Sequence, residues 1–264
     1  MKKISSLSNT VVKRTGKLFN DSDYRRKSGL AVVEGFRLVK DAMSAGAEIQ
    51  WVFLSEELAG EKMEELGLSE IGDTYVAAPA VLKKLSSTAT PQGIVAVVHV
   101  ERRELGTIAA KRLIVLDGVG EPGNAGTLIR GAAAFGFAVA VMPGSVDIFS
   151  PKVLRASMGG VFRTPVFFCN SLDELIGFSR SEGLPIWVAD NRGGVPVNEA
   201  RIDDNIIVVL GNEAHGPLSF ANREIPGVER ITIPMEEGVE SLNVAMAGTI
   251  IMYESFRRRR TWRC

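Results

Sequence analysis

Cysteine and histidine are scarce: Cys169, Cys264, His99 and His215 are the only four in 264 residues. Two cysteines cannot build a disulfide framework, and four widely scattered thiols and imidazoles offer no zinc-ligand spacing, so no metal site is expected. Long apolar runs are also missing. Nothing reaches the ~18 residues that a membrane span needs, and the start of the chain carries no apolar stretch of the secretory kind. No membrane partner is expected, and a reducing cytoplasm is the expected compartment. Internal repeats, low-complexity tracts and long linkers are absent as well. What remains is 45% hydrophobic and 23% charged, an ordinary globular composition long enough for one or two domains with a real core.

The balance of 31 basic and 31 acidic residues hides an asymmetry. Residues 1–30 hold eight Lys/Arg against Asp21 and Asp23, and Ser255–Cys264 holds five Arg and no acid. The body between them is correspondingly acidic. Basic ends on an acidic body suggest surfaces that face phosphate, although solvated termini give the same pattern.

Short apolar runs alternate with helical spacing along the chain. Residues 9–29 read as one helix with Lys and Arg on its surface. After it come a strand at Ala31–Gly35, a helix at Phe36–Ala45, a strand at Trp51–Leu54, a helix at Glu56–Leu66, a strand at Thr74–Ala77, a helix at Ala80–Leu85 and a strand at Gly93–Val100. The charged stretch Glu101–Glu104 lacks core content, which places a domain boundary between 1–104 and 105–264. The second half begins with a strand at Leu113–Leu116 and a helix capped by Asn124 that runs to Phe135. It continues through strands at Phe137–Met142, Pro165–Phe168, Ile186–Ala189 and Ile206–Leu210, with helices at Pro151–Met158 and Ser171–Glu182. The fold class is α/β: a small N-terminal domain and a larger C-terminal one.

The stretch Ile231–Tyr253 organises the second half. Ile231, Ile233 and Met235 alternate with Thr232 and Pro234 as a short strand, and Ser241-Leu242-Asn243 supplies N-cap oxygens to a helix. From Val244 to Met252 that helix is apolar or small on every side, which reads as buried. Gly248 in its middle implies a neighbour packed close to the backbone.

Two further constellations lie upstream. In Asn124–Gly136, Asn124 and Arg130 are expected on similar faces of the helix, and an arginine among Leu128, Ile129 and Phe135 calls for a partner. In Leu210–Pro217 a β-branched strand ends on Gly211, which permits close approach of a ligand, and then presents Glu213. His215 in the same turn reads as a surface residue rather than a general base. Gly118-Val-Gly120-Glu-Pro-Gly123 also matches the G-x-G-x-x-G dinucleotide fingerprint, so a nicotinamide-dependent enzyme stands as an alternative. Against it, the next strand ends in Val141-Met142-Pro143 without an acid for a ribose, and Asp147 comes several residues too late.

Taken in order, N-x-G-x-x-x-R-x-x-A-x-F-G from Asn124, G-N-E-x-x-G from Gly211, and I-P-M from Ile233 followed by S-L-N-V from Ser241 resemble the three signatures of the SpoU/TrmH RNA ribose methyltransferases across about residues 112–256. The first half, with VVEGFRLVKDAM and GIVAVV, is similar to the ribosomal-protein-like RNA-binding domain of the ribosomal-RNA-modifying branch. The resemblance implies a catalytic domain with a C-terminal trefoil knot, S-adenosylmethionine as cofactor, homodimers that complete the site, and methylation of a ribose 2′-hydroxyl in structured RNA, most of all ribosomal RNA. It implies a cofactor pocket of Ala189, Leu210, Gly211, Ile233, Met235, Leu242 and Asn243. It also implies a catalytic group of Arg130, Asn124, Glu213, Ser241 and Asn243. A guanidinium stays protonated, so Arg130 is expected to clamp an RNA phosphate rather than act as a base. An RNA-binding protein of the same fold without catalysis is the other reading.

Overall fold

The structure, a computed structural model, describes residues 1–61, 67, 73–88, 90–107, 110–202, 204–212, 215–220 and 225–259. They form two compact units, Met1–Glu101 with Asp147–Phe162, and Arg102–Val146 with Arg163–Cys264.

The first unit is built on a five-stranded sheet. In chain order it comprises β1 (Lys2–Ile4), α1 (Thr10–Asn20), α2 (Ser22–Ser28), β2 (Leu30–Glu34), α3 (Phe36–Ser44), β3 (Ile49–Leu54), α4 (Glu56–Glu61), β4 (Thr74–Ala77), α5 (Pro79–Lys84) and β5 (Ile94–His99). The order across the sheet is β1-β4-β3-β5-β2, with β5 antiparallel to both neighbours and the other pairings parallel. β2 and β5 are apolar runs rather than alternating ones because both of their faces are buried. The single helix expected over 9–29 is two helices. Asp21 leaves helical geometry, and its carboxylate accepts from Tyr24 N at 2.8 Å to cap α2, the position where Asp is most favourable. Arg25, expected on the basic surface, is buried and pairs with Asp147 at 2.7 Å. The described part of α4 ends at Glu61, so the rest of the expected helix, residues 62–66, lies outside the described residues.

The second unit carries an eight-stranded sheet, all of whose pairings are parallel. Its elements begin with β6 (Arg103–Glu104), β7 (Arg112–Asp117), α6 (Pro122–Phe135) and β8 (Ala138–Val141). The chain then contributes Asp147–Phe162, including α7 (Pro151–Ala156), to the first unit. It returns through β9 (Val166–Phe168), α8 (Leu172–Glu182), β10 (Ile186–Ala189), β11 (Val195–Pro196), β12 (Ile206–Gly211), β13 (Val228–Thr232) and α9 (Val244–Arg259). The sheet order is β11-β13-β10-β12-β7-β8-β9-β6. One face packs Leu113, Val115, Ile207 and Val209 against Leu175 and Phe178 of α8. Alternation turns Leu210 to the other face, where α6 and α9 cover the sheet. The close neighbour expected at Gly248 is there: a Cβ would meet Leu128 Cδ2 at 2.4 Å and Leu210 Cδ1 at 2.5 Å.

Two expectations about the C-terminal stretch need correction. β13 ends at Thr232, so Ile233 and Met235 lie beyond the ladder, in keeping with a proline at 234 that has no N–H to donate. α9 is buried on one side only. Met246, Ile250 and Tyr253 are 57%, 37% and 47% exposed, a stripe at i, i+4 and i+7, because α6 and the sheet cover just the opposite face. The basic tail is also less free than its composition suggests. Arg257 and Arg258 bind Glu254 at 2.8 Å, Arg258 donates to the Val197 and Ala200 carbonyls, and Arg259 donates to Phe135 O. These arginines complement helix C-termini and loop carbonyls.

Candidate active site

A cleft of about 310 Å³ opens at the C-terminal ends of β10, β12 and β13, where an open parallel sheet offers its binding crevice. Ala189 and Leu210 stand at strand ends, while Ile233, Met235 and Leu242 come from the segment between β13 and α9. The first unit holds a wider cleft of about 800 Å³ at the ends of β1, β3 and β4. Size alone would select that one, but residues of the second and third motifs line the smaller, and the first motif reaches its edge through Asn243, between the lining residues Leu242 and Val244.

Asn243 is the joint of the site. Its Oδ1 accepts from Ala245 N at 3.0 Å and Met246 N at 3.3 Å, which caps α9, and its Nδ2 donates to Asn124 Oδ1 at 2.9 Å. The starts of α6 and α9 are thereby tied together, 119 residues apart in sequence. Asn124 does not cap α6 as expected. Glu121 does, accepting from Asn124 N at 2.6 Å, with Pro122 at the first helical position. The Asn124 side chain instead meets Asn243.

Arg130 lies elsewhere on α6. Six residues turn a helix by about 600°, which leaves Arg130 about 120° round from Asn124 rather than on a similar face. It is exposed, and among the described residues it makes no hydrogen bond or ion pair, so the partner expected for a buried arginine is not needed. Ser241 lines the cleft beside Leu242. Glu213 lies outside the described residues.

Gly211 lines the cleft and also serves the backbone. A Cβ there would stand 1.9 Å from Pro217 N, because the chain doubles back through paired Asn212 and Gly216. That turn brings His215, Gly216 and Pro217 onto the cleft wall. Asp117 anchors it from β7: fully buried, it accepts from Ser219 N at 2.7 Å and from Ser219 Oγ at 2.9 Å. Burial pushes the Asp117 carboxyl up, against the pull of those two bonds. Neither Asp117 nor Ser219 stood out in the sequence. An acid at the last position of a buried strand was the available signal.

Asp190, Asn191 and Arg192 form the polar rim that motif reading also missed. Burial alone would raise the Asp190 carboxyl, but hydrogen bonds from the Arg192 side chain and backbone, with the charges of Arg192 and Arg230, hold it below its usual range. Asn191 Nδ2 donates to Glu240 O at 3.1 Å and joins this rim to the loop before α9. Among the described residues no group of three or more His, Cys, Asp or Glu could hold a metal.

The glycine fingerprint at 118–123 does not form a dinucleotide cradle. The Glu121 carboxylate occupies the start of α6, where a pyrophosphate would sit, and it stands 2.8 Å from the Cβ position of Gly123. Leu218 covers Gly118, whose Cβ position is 2.5 Å from its side chain.

The model of the SpoU rRNA methylase family matches residues 111–253, and that of the MRM3-like substrate-binding domain matches residues 9–96. The chain belongs to the SpoU rRNA methylase family. It is 31% identical over 254 residues to the 23S rRNA (guanosine(2553)-2′-O)-methyltransferase RlmP of Bacillus subtilis, covering 96% of this chain and 98% of that protein. An AdoMet-bound rRNA methyltransferase from Sinorhizobium meliloti superposes with a TM-score of 0.84 at 27% identity, over 97% of this chain and 98% of the other. The SpoU methyltransferase AviRb from Streptomyces viridochromogenes, in complex with the cofactor AdoMet, gives 0.83 at 26% identity, over 97% and 100%. The mixed α/β architecture of this family member is therefore that of SpoU methyltransferases in both units.

Proposed function

We propose that this SpoU family member transfers a methyl group from S-adenosylmethionine to a ribose 2′-hydroxyl of ribosomal RNA. The observation that carries the reading is the Asn124–Asn243 bond, which ties the first motif to the third at a cleft walled by Leu210, Ile233, Met235 and Leu242. The cleft fits the cofactor. Its volume is at the lower end of the range for small-molecule sites, its apolar walls suit an adenine, and its Asp190–Arg192 rim suits a charged amino-acid end. S-adenosylmethionine, when bound, supplies an electrophilic methyl on a sulfonium.

The chain's own residues then position the acceptor. Arg130, exposed and uncommitted, offers its guanidinium to a phosphate of the RNA next to the target ribose. Asn124 and Asn243 orient one another and fix the start of α9 against the cleft. The hydroxyl proton passes to that phosphate, to Glu213 or to water, since a guanidinium has donors only and no acceptor. Holding the hydroxyl in line with the methyl supplies much of the rate. The first unit, with its basic α1–α2 surface and its match to a substrate-binding domain, reads the RNA.

The same reading includes a homodimer and a trefoil knot. The exposed stripe Met246, Ile250 and Tyr253 on α9 supports a seam between two copies, and membership of the family supports a knot in the C-terminal stretch. The protein works in the cytoplasm without a membrane partner. Calorimetric titration with S-adenosylmethionine, with NADH as control, tests the cofactor: micromolar binding of the first alone is expected, and binding of NADH alone overturns the reading.

A further inference from the structure

Beyond the motif residues, the cleft has one feature whose chemistry is specific. Asp190, with a side chain only 7% exposed, takes Arg192 N and Nε on one oxygen at 2.9 and 3.0 Å. Its other oxygen takes Arg192 Nη2 at 3.0 Å and Arg230 Nη1. Four donors fill the acceptor capacity of a carboxylate, so Asp190 has none left for a ribose hydroxyl or an ammonium group. Arg192 is in the opposite position. It spends one edge, Nε and Nη2, on Asp190 and keeps the other edge open, and its side chain is 70% exposed on the cleft rim.

The loop is shaped to hold that arginine in place. Gly193 and Gly194 follow it with φ of 143° each, a backbone that L side chains rarely adopt, and a Cβ at Gly194 would stand 2.6 Å from Arg230 O. Arg192 is the only lysine or arginine among the described residues lining this cleft. The cofactor proposed above has one anionic group, its amino-acid carboxylate, and a carboxylate leaving water needs a charged or hydrogen-bonding partner. A guanidinium already fixed by a carboxylate on one edge is preorganised for a second on the other.

We propose that Arg192, held by Asp190, is the specificity residue that binds the carboxylate of S-adenosylmethionine. The assignment rests on the methyltransferase reading and adds to it which end of the cofactor faces the 190–194 loop. It predicts that the cleft distinguishes the cofactor from its decarboxylated form, a difference that apolar recognition of adenine and methyl cannot supply.

The test is calorimetric titration of the full chain, and of Arg192→Ala and Arg192→Gln, with S-adenosylmethionine and with decarboxylated S-adenosylmethionine. The unaltered protein should bind the complete cofactor about ten- to a hundredfold more tightly, the range of one charge-assisted interaction. Both variants should lose that factor for the complete cofactor and bind the decarboxylated one as before. The comparison of two ligands on the unaltered protein needs no variant to fold, and in both variants Arg230 remains as a partner for the buried Asp190 carboxylate. Equal binding of the two ligands by the unaltered protein overturns the assignment, as does undiminished cofactor binding by Arg192→Ala. If the unaltered protein binds neither ligand, the methyltransferase reading itself falls and takes the assignment with it.

Discussion

Replacing Gly248 by alanine probes the packing that joins α9 to the cleft. The added Cβ would stand 2.4 Å from Leu128 Cδ2 and 2.5 Å from Leu210 Cδ1, where carbon atoms normally rest about 3.5–4.0 Å apart. Both leucines are buried, and each methyl must retreat by about 1 Å. Overpacking of this kind costs about 1–3 kcal/mol, while alanine in place of glycine in a helix returns about 1 kcal/mol. The net expectation is a loss of about 0–2 kcal/mol in urea unfolding. Leu210 also lines the cleft, so its shift should weaken S-adenosylmethionine binding several-fold in calorimetric titration. A Gly248→Ala protein that is about 1 kcal/mol more stable with unchanged cofactor affinity would behave as an open helix position does, and would refute the packing argument.

Arg130→Lys should lose about a hundredfold or more in turnover while S-adenosylmethionine affinity holds, because a point charge replaces a bidentate clamp; near-normal turnover in a methyl-transfer assay would refute the clamp. Asn243→Ala should cost about 1 kcal/mol through the lost cap of α9 as well as turnover, whereas Asn243→Ser should recover stability in urea unfolding but not turnover, since serine can cap yet cannot span to Asn124. Glu254 is held at about 2, below its ordinary 4.5, by the hydrogen bond from Arg257 with Arg258 adding to it against burial. Its folded pKa is depressed, so its contribution is complete above about 4.5 and is lost as pH falls from there toward 2; Glu254→Gln should flatten that part of an acid unfolding curve.

Much of this site is local chemistry and so is readable in order along the chain. A strand that must end on glycine at 211, an N-cap at 243 and small residues at 248 each leave a sequence mark. Even where such a mark is clear, its reason can differ. Gly211 reads as a place for close approach of a ligand and does line the cleft, but the turn needs the glycine too, because Pro217 stands where a Cβ would be. Asn124 reads as a cap, but Glu121 three residues earlier is the cap, and the Asn124 side chain bridges to Asn243. What was illegible depends on partners distant in sequence. Arg25 is buried because Asp147, 122 residues later, returns to meet it, and the polar rim exists because Arg230 and Arg192 converge on Asp190. Charge counts could not separate solvent-facing arginines such as Arg130 from Arg258 and Arg259, which close off carbonyls. The exposed side of α9 was hidden for another reason: a helix apolar all round tells nothing of which face its own chain covers.

The chemistry at the ribose can be followed directly. In vitro transcribed ribosomal RNA, incubated with the protein and S-adenosylmethionine bearing a labelled methyl, can be digested to nucleosides and resolved by mass spectrometry. Label in a single 2′-O-methylnucleoside, absent with Arg130→Lys, is the predicted result. Label on a base, or none in RNA although S-adenosylmethionine binds, would contradict the account.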